Sequence, residues 1–386
     1  MDAHVLRELA ATRYEDYLDL LERMVNVDCG SYSRAGVDRI GEMCEAAFHE
    51  HGWSIERRAH LPTPGDRQLG DLVIGSLGGS GGKRVLLIGH MDTVFDDGTA
   101  AARPFRVHGD KAYGPGVSDM KGGLLAGLHA THALRDAGFD GFERITYICN
   151  PDEEIGSPFS GPVIRTLAAE HDAALVLECA RADGSIVSAR KGVSDYVIRI
   201  RGRAAHAGVE PDKGRSAVLE AAHKVIAISA LHGRWRGVTC NVGVLRGGTR
   251  PNVVPEEAVL EVDLRSPDPA TLAEGERAIE EICRHHTISD IEVEVRHEAW
   301  HRPMEKTGAS QRLVDVAVEV AGELGLEVRD TATGGASDGN TTSAAGCPTL
   351  DGLGPIGGGA HASDEWLDLA SVVPRVAMLA GIIARL

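Results

Sequence analysis

The sequence predicts an α/β protein that carries a smaller α+β segment inserted within it, and three observations point that way. Short aliphatic runs such as Val85–Ile88 alternate with stretches of helical hydrophobic spacing, in the first half and again after Pro303. Three of these runs end in histidine or acidic residues, as expected where an open α/β sheet offers a ligand crevice at its strand ends. Between about 192 and 302 the order becomes β-α-β-β-α-β with half-exposed strands, the pattern of a ferredoxin-like sandwich. The expected organisation is a discontinuous larger domain, 1–191 and 303–386, interrupted by 192–302.

Residues 4–27 place Val5, Leu6, Leu9, Tyr17, Leu18, Leu21 and Met24 at helical spacing, and Ala35–His51 reads as a second amphipathic helix ended by Gly52. Strand-like pieces follow at Trp53–Arg57, Asp71–Ser76 and Arg84–Gly89. The run Gly78-Gly79-Ser80-Gly81-Gly82-Lys83 suggests a phosphate loop. Leu77 stands where that loop needs glycine and Arg84 where it needs Ser or Thr, so a flexible hairpin turn is predicted instead.

An apolar helix is expected from about Gly123 to Ala137, a buried strand over Glu143–Cys149 and another over Ala173–Leu177. In the inserted segment Val193–Arg201 sets Tyr196, Ile198 and Ile200 on one face against Asp195, Arg199 and Arg201, with Val197 the one apolar residue on the polar side. A helix from about Gly214 to Leu231, strands Gly237–Leu245 and Ala258–Leu264, a helix from about Ala270 to His286 and a strand at 291–295 complete it. Helix Gln311–Leu324, strand Leu326–Val328, loops 334–340 and 352–365 and a final helix 373–386 restore the α/β texture.

Composition narrows the class. With 43% hydrophobic but only 4% aromatic residues, the core is built from Ala, Val, Leu and Ile. A formal charge of −17 argues against nucleic acid or an anionic membrane as partner. Seven scattered cysteines without a CxxC read as reduced thiols, the N-terminus lacks the features of a signal peptide, and no segment is apolar enough to span a membrane. A cytoplasmic location is expected.

The chemistry-bearing residues sit at the strand ends. Val85–Gly89 delivers His90 and Asp92, which are either ordinary loop polars or a metal ligand and its orienting carboxylate. Asp119 stands beside the start of the apolar helix, as an N-cap or as a functional group. Asp152, Glu153 and Glu154 hang from the next strand, Glu178 closes the third, and His361 lies in the last glycine-rich loop. Imidazoles and carboxylates without thiolates suit zinc, with cobalt or manganese as substitutes. Their number exceeds one tetrahedral site and suggests two metals sharing a carboxylate, with a spare carboxylate as general base. His297-Glu298-Ala299-Trp300-His301 matches HExxH, but it continues a period-2 strand and runs into Pro303, so it reads as a chance match.

The chain resembles the M20 metallopeptidases, and within them the carboxypeptidase G2 (glutamate carboxypeptidase) branch. The resemblance is carried by Gly89-His90-Met91-Asp92-Thr93-Val94, Gly114–Gly123, Asp152–Ser157, Leu177-Glu178, Gly202–Gly208, Asn252–Pro255, Gly334–Asn340 and Gly358–Glu365, in family order across nearly the whole chain. It implies a zinc-peptidase-like catalytic domain with a mixed central sheet and an inserted dimerisation, or lid, domain. It implies that Asp119 bridges two Zn²⁺, that His90 and Glu178 complete one site and Glu154 and His361 the other, and that Asp92 orients His90. Glu153 would be the general base, and His206 would reach the partner subunit's active site as an oxyanion donor. Asn252 and Arg265 would lie near the substrate, although Arg265 also reads as a surface charge. Lys191 and Asp338 are weaker candidates.

The implied substrate is a small peptide or N-acyl amino acid, cleaved to release a C-terminal amino acid such as glutamate by a homodimer. An aminoacylase or N-acyl amino-acid deacetylase of the same family is the nearer alternative, and a non-catalytic dimeric binding protein the remote one. Glu178 is followed by Cys179 where a residue such as Pro is expected in close relatives, which would bias the metal or sensitise the site to oxidation.

Overall fold

The computed structural model describes the backbone of all 386 residues and every side chain except those of Ala299 and Trp300. The chain forms two compact units. Met1–Ser188, Lys306–Ala332 and Ser337–Leu386 make the first, and Ala189–Glu305 with Thr333–Ala336 the second.

The first unit begins with helices α1 (Ala3–Thr12), α2 (Tyr14–Val25) and α3 (Arg34–Glu50). The single helix expected over 4–27 is thus two. Arg13 leaves helical geometry at φ −108°, and its guanidinium donates to Asp136 at 2.8 Å. Strands β1 (Ser54–Arg58), β2 (Leu72–Gly78), β3 (Arg84–His90), β4 (Arg144–Asn150) and β5 (Ala173–Val176) form a sheet in the order β1-β2-β4-β3-β5, finished by the short strand Thr349–Leu350. Pairing is antiparallel across β1-β2-β4 and parallel across β4-β3-β5.

β4 therefore separates β2 from β3, and the Gly78–Lys83 run is not a hairpin. It crosses the end of β4, pinned by the Gly79 amide donating to the Glu143 carbonyl and the Gly81 amide to that of Phe142. A Cβ at Gly81 would lie 1.9 Å from the Gly141 carbonyl oxygen, so the glycine there answers a close approach rather than flexibility.

The aliphatic strands read as continuous runs because both faces of the sheet are covered. Val85, Leu87, Ile145, Tyr147 and Leu175 join the core under α3 and helix α4 (Gly122–Asp136), while Leu86, Ile88, Ile148 and Ala174 pack with the helix Gly161–Ala169. Every residue of α4 from Gly122 to Leu134 is buried. Its glycines let it lie flush on the sheet, since a Cβ at Gly123 would come 1.8 Å from the Leu177 carbonyl oxygen. Where α3 meets α4, three buried histidines cluster. His51 stacks on His132 with ring centroids 3.3 Å apart, and His129 meets the Tyr17 ring edge-on. The strand expected at 326–328 is absent. The chain stays irregular there and becomes extended at Asp330–Thr333.

In the second unit β6 (Gly192–Arg201), β7 (Thr239–Gly247), β8 (Glu257–Ser266) and β9 (Glu292–His301) form one antiparallel sheet in the order β7-β8-β6-β9. Helices Ala217–Ser229 and Pro269–Arg284 pack on it around Tyr196, Ile198, Ile200, Leu260 and Leu264. The HExxH match lies on β9. Its Ala299 and Trp300 side chains are outside the described residues, and its first histidine, His297, hydrogen-bonds Ser194 at 2.6 Å and stacks on Tyr196. Among the described residues no helix is long and apolar enough to cross a membrane.

Candidate metal centre

Three adjacent parallel strands end together. His90 closes β3 in register with Asn150, the last residue of β4, and Ile88 pairs with Val176, the last residue of β5. Glu153 and Glu154 follow β4 in a short 3-10 turn, and Glu178 lies two residues beyond β5. Asp119 is delivered by a turn over 117–121 that contains a cis Asp119–Met120 peptide and precedes α4. It is not the helix cap, a position taken by Lys121. His361 reaches in from the C-terminal loop with φ +64°.

The side chains converge. One oxygen of Asp119 lies 3.2 Å from His90 Nε2 and the other 3.3 Å from His361 Nε2, so a single carboxylate faces both imidazoles. His361 Nε2 is also 3.2 Å from Glu154, while His90 Nε2 is 3.7 Å from Glu178 and 4.0 Å from Glu153. Two groups of donor atoms fall within 4.8 Å of one another: His90 with Asp119 and Glu154, and His90 with Glu153 and Glu178. Asp92 is wholly buried behind them. Its carboxylate accepts from Ser31 Oγ at 2.6 Å and from the amides of Glu153 and Glu154, both at 3.1 Å. His90 Nδ1 lies 2.9 Å from the Asp92 main-chain carbonyl and 3.5 Å from its carboxylate. Asp92 therefore ties the end of β3 to the turn that carries both glutamates.

Electrostatics favours a cation here. Among the described residues, Asp119, Glu153 and Glu154 find cationic partners only in histidine, so the cluster holds an excess of shielded negative charge. Burial pushes the Glu153 carboxyl well above its ordinary value; His90 opposes this, and Glu178, Asp338 and Glu154 reinforce it. Burial works against a charged His90, but Asp119, Asp92 and the two glutamates outweigh it and raise its pKa. Hydrogen bonds to Asp119 and Glu154 push His361 up to about 10. Protons that bind this avidly stand where a divalent cation would, and the O,N donor set fits one.

Of the remaining candidates, Asp338 is buried in this unit and accepts from Asn150 at 2.6 Å and Ser157 at 2.7 Å. Cys179 is buried. His206, Asn252 and Arg265 belong to the second unit. His206 is exposed, and its Nδ1 accepts the Gly208 amide at 3.2 Å, which leaves the proton of a neutral ring on Nε2. Asn252 is exposed, its main-chain carbonyl accepting from Ala207. Arg265 is engaged locally, with Asp263 at 2.8 Å and the Gly334 carbonyl at 2.9 Å. Sequence reading gave no role to Glu365, which is buried and accepts the amides of Gly116, Ser118 and Asp119.

A profile of peptidase family M20/M25/M40 matches residues 86–385. Carboxypeptidase G2 of Pseudomonas sp. (strain RS-16) is 31% identical over 98% of this chain and 91% of its own. An acetylornithine deacetylase of Erwinia tasmaniensis is 28% identical over 68% of this chain and 71% of its own. Among solved structures the aminopeptidase PepT of Bacillus cereus superposes with a TM-score of 0.79 at 22% identity, over 96% of this chain and 98% of that one, a likeness of fold. With the strand-end cluster and the family profile covering the same stretch of chain, the protein belongs to peptidase family M20/M25/M40 and is a metallohydrolase.

Proposed function

We propose that the chain is a two-metal amidohydrolase that releases a C-terminal amino acid, with glutamate the first to test, from a small peptide or N-acyl amino acid. The observation that carries this reading is the Asp119 carboxylate, which turns one oxygen to His90 and the other to His361. His90 and Glu178 would hold one ion, Glu154 and His361 the other, and Asp119 both. Zinc suits these donors, with cobalt or manganese as substitutes. When bound, such a pair polarises the scissile carbonyl and lowers the pKa of water.

The protein's own groups supply the rest. Glu153 is not needed as a ligand in this arrangement, and its raised pKa suits a carboxylate that takes a proton from the attacking water and returns it to the leaving nitrogen. Asp92 holds Glu153 and His90 in mutual position through the contacts above. His206, with a proton on Nε2, suits an oxyanion donor, and we assign it to the active site of the partner subunit in a homodimer formed through 192–302. We assign Asn252 and Arg265 to substrate binding, with Arg265 as the clamp for a substrate carboxylate.

Metal analysis with a substrate panel tests this. Two ions per chain, and highest kcat/KM on acyl-glutamates, are expected; one ion, or an undiminished Glu153→Gln variant, overturns it. Highest kcat/KM on N-acetyl amino acids other than acetylglutamate would favour the deacetylase reading, which the match to an acetylornithine deacetylase motivates.

A further inference from the structure

Glu365 is 1% exposed, and no cationic side chain pairs with it among the described residues. Its carboxylate is held by main-chain donors: one oxygen accepts the Gly116 amide at 2.8 Å, the other those of Ser118 at 2.8 Å and Asp119 at 2.9 Å, with Ser118 Oγ at 3.2 Å. These donors lie 246–249 residues earlier in sequence. Burying a carboxylate is costly unless charge-assisted hydrogen bonds replace its water, and three amides on one turn do so.

The turn so gripped is the one that delivers Asp119. Four residues before Glu365 on the same loop stands His361, which faces the second Asp119 oxygen at 3.3 Å. One short loop thus holds both the far imidazole and the backbone of the carboxylate it faces. We infer that Glu365 is a positioning residue that fixes the orientation of the Asp119 carboxylate, so that its two oxygens address two ions. This rests on the two-metal reading above. A carboxylate left to swing on its turn would still bind one ion but would not share itself between two.

The test uses the whole chain and Co²⁺, followed by calorimetry and by the visible absorption of the bound ion. Glu365→Gln keeps the side-chain shape but sets an amide N–H against a main-chain N–H. It is expected to weaken one of two Co²⁺ sites by about 10- to 100-fold, the usual range for losing a residue that orients ligands, and to alter the absorption bands. Tyr17→Phe is the control for loosening alone, since it removes the 2.8 Å hydrogen bond to the Gly122 carbonyl just beyond the same turn. It should leave both affinities unchanged. Wild-type affinities and bands in Glu365→Gln overturn the assignment, as does an equal loss in Tyr17→Phe. A wild-type chain that binds fewer than two Co²⁺ overturns the two-metal reading itself, and this assignment with it.

Discussion

The candidate residues of the two units are prepared in opposite ways. In the first unit the acids are shielded, at 7–15% side-chain exposure, and are set against one another by the ends of two strands and the turn before α4. In the second, His206 and Asn252 stand in solvent, and Arg265 is occupied by Asp263 and Gly334. Preorganised charge of the first kind costs folding energy and is worth having only where charge is to be bound. Groups of the second kind cost nothing until something arrives for them to act on. Changes to the proposed ligands of the first unit should therefore alter metal content and chemistry together, Glu153 alone among its acids acting on chemistry without it, whereas changes in the second should alter rate or KM and leave metal content alone.

The largest test of that contrast is Asp119→Ala, which should abolish activity and metal binding alike, read by metal analysis and turnover; retained stoichiometry would break the comparison. Next comes Glu153→Gln, expected to lower kcat by about 10²–10⁴-fold with both ions still bound. His206→Ala should cost about 10²–10³-fold in kcat at unchanged metal content and melting temperature, the range for loss of one oxyanion donor. Arg265→Ala should raise KM by roughly tenfold, since a hydrogen bond to a charged group is worth about 1.5–3 kcal/mol and Asp263 already shares its guanidinium.

The smallest effect is on stability. Burial, with Arg13 as a lesser contributor, lowers His129 from 6.5 to about 4; burial, with His51 and His129, lowers His132 to about 2. Both are neutral when folded and take up protons more readily when unfolded. The stability they allow is whole above pH 6.5 and falls as the pH drops from 6.5 toward about 4 for His129 and toward about 2 for His132. Below pH 6.5 the melting temperature of wild type should fall relative to that of His132→Leu; a difference that stays constant with pH would count against it.

The centre was legible because its parts obey local rules. Aliphatic runs that end in His90, Glu153 and Glu178 declare both the strand and the direction in which it delivers its last side chains. The alternation of Tyr196, Ile198 and Ile200 announced the second unit's sheet in the same way. Legibility failed where the deciding partner is distant in sequence or is backbone. Gly78–Lys83 looked like a hairpin because nothing nearby reveals that β4, some sixty residues on, inserts between β2 and β3. Arg13, at the break between α1 and α2, pairs with Asp136, 123 residues on, and Glu365 serves amides that have no residue-type signature. Spacing suggests Asp92 as the orienter of His90; its main-chain carbonyl does meet His90 at 2.9 Å, but the ties of its carboxylate to Ser31 and to the amides that carry both glutamates have no signature in the sequence.

The flush contact of α4 with the sheet gives the centre a ruler. Gly123 lies against the carbonyl of Leu177, the residue before Glu178, and four residues before Gly123 stands Asp119. The spacing of these two acids is therefore tied to how closely the start of α4 lies on the strand end at Leu177. A single methyl group at 123 would have to lift the helix or bend the strand end, so the distance between Asp119 and Glu178 can be retuned from outside the cluster. Relatives that differ at this position are where a change in the spacing of these two acids should first be sought.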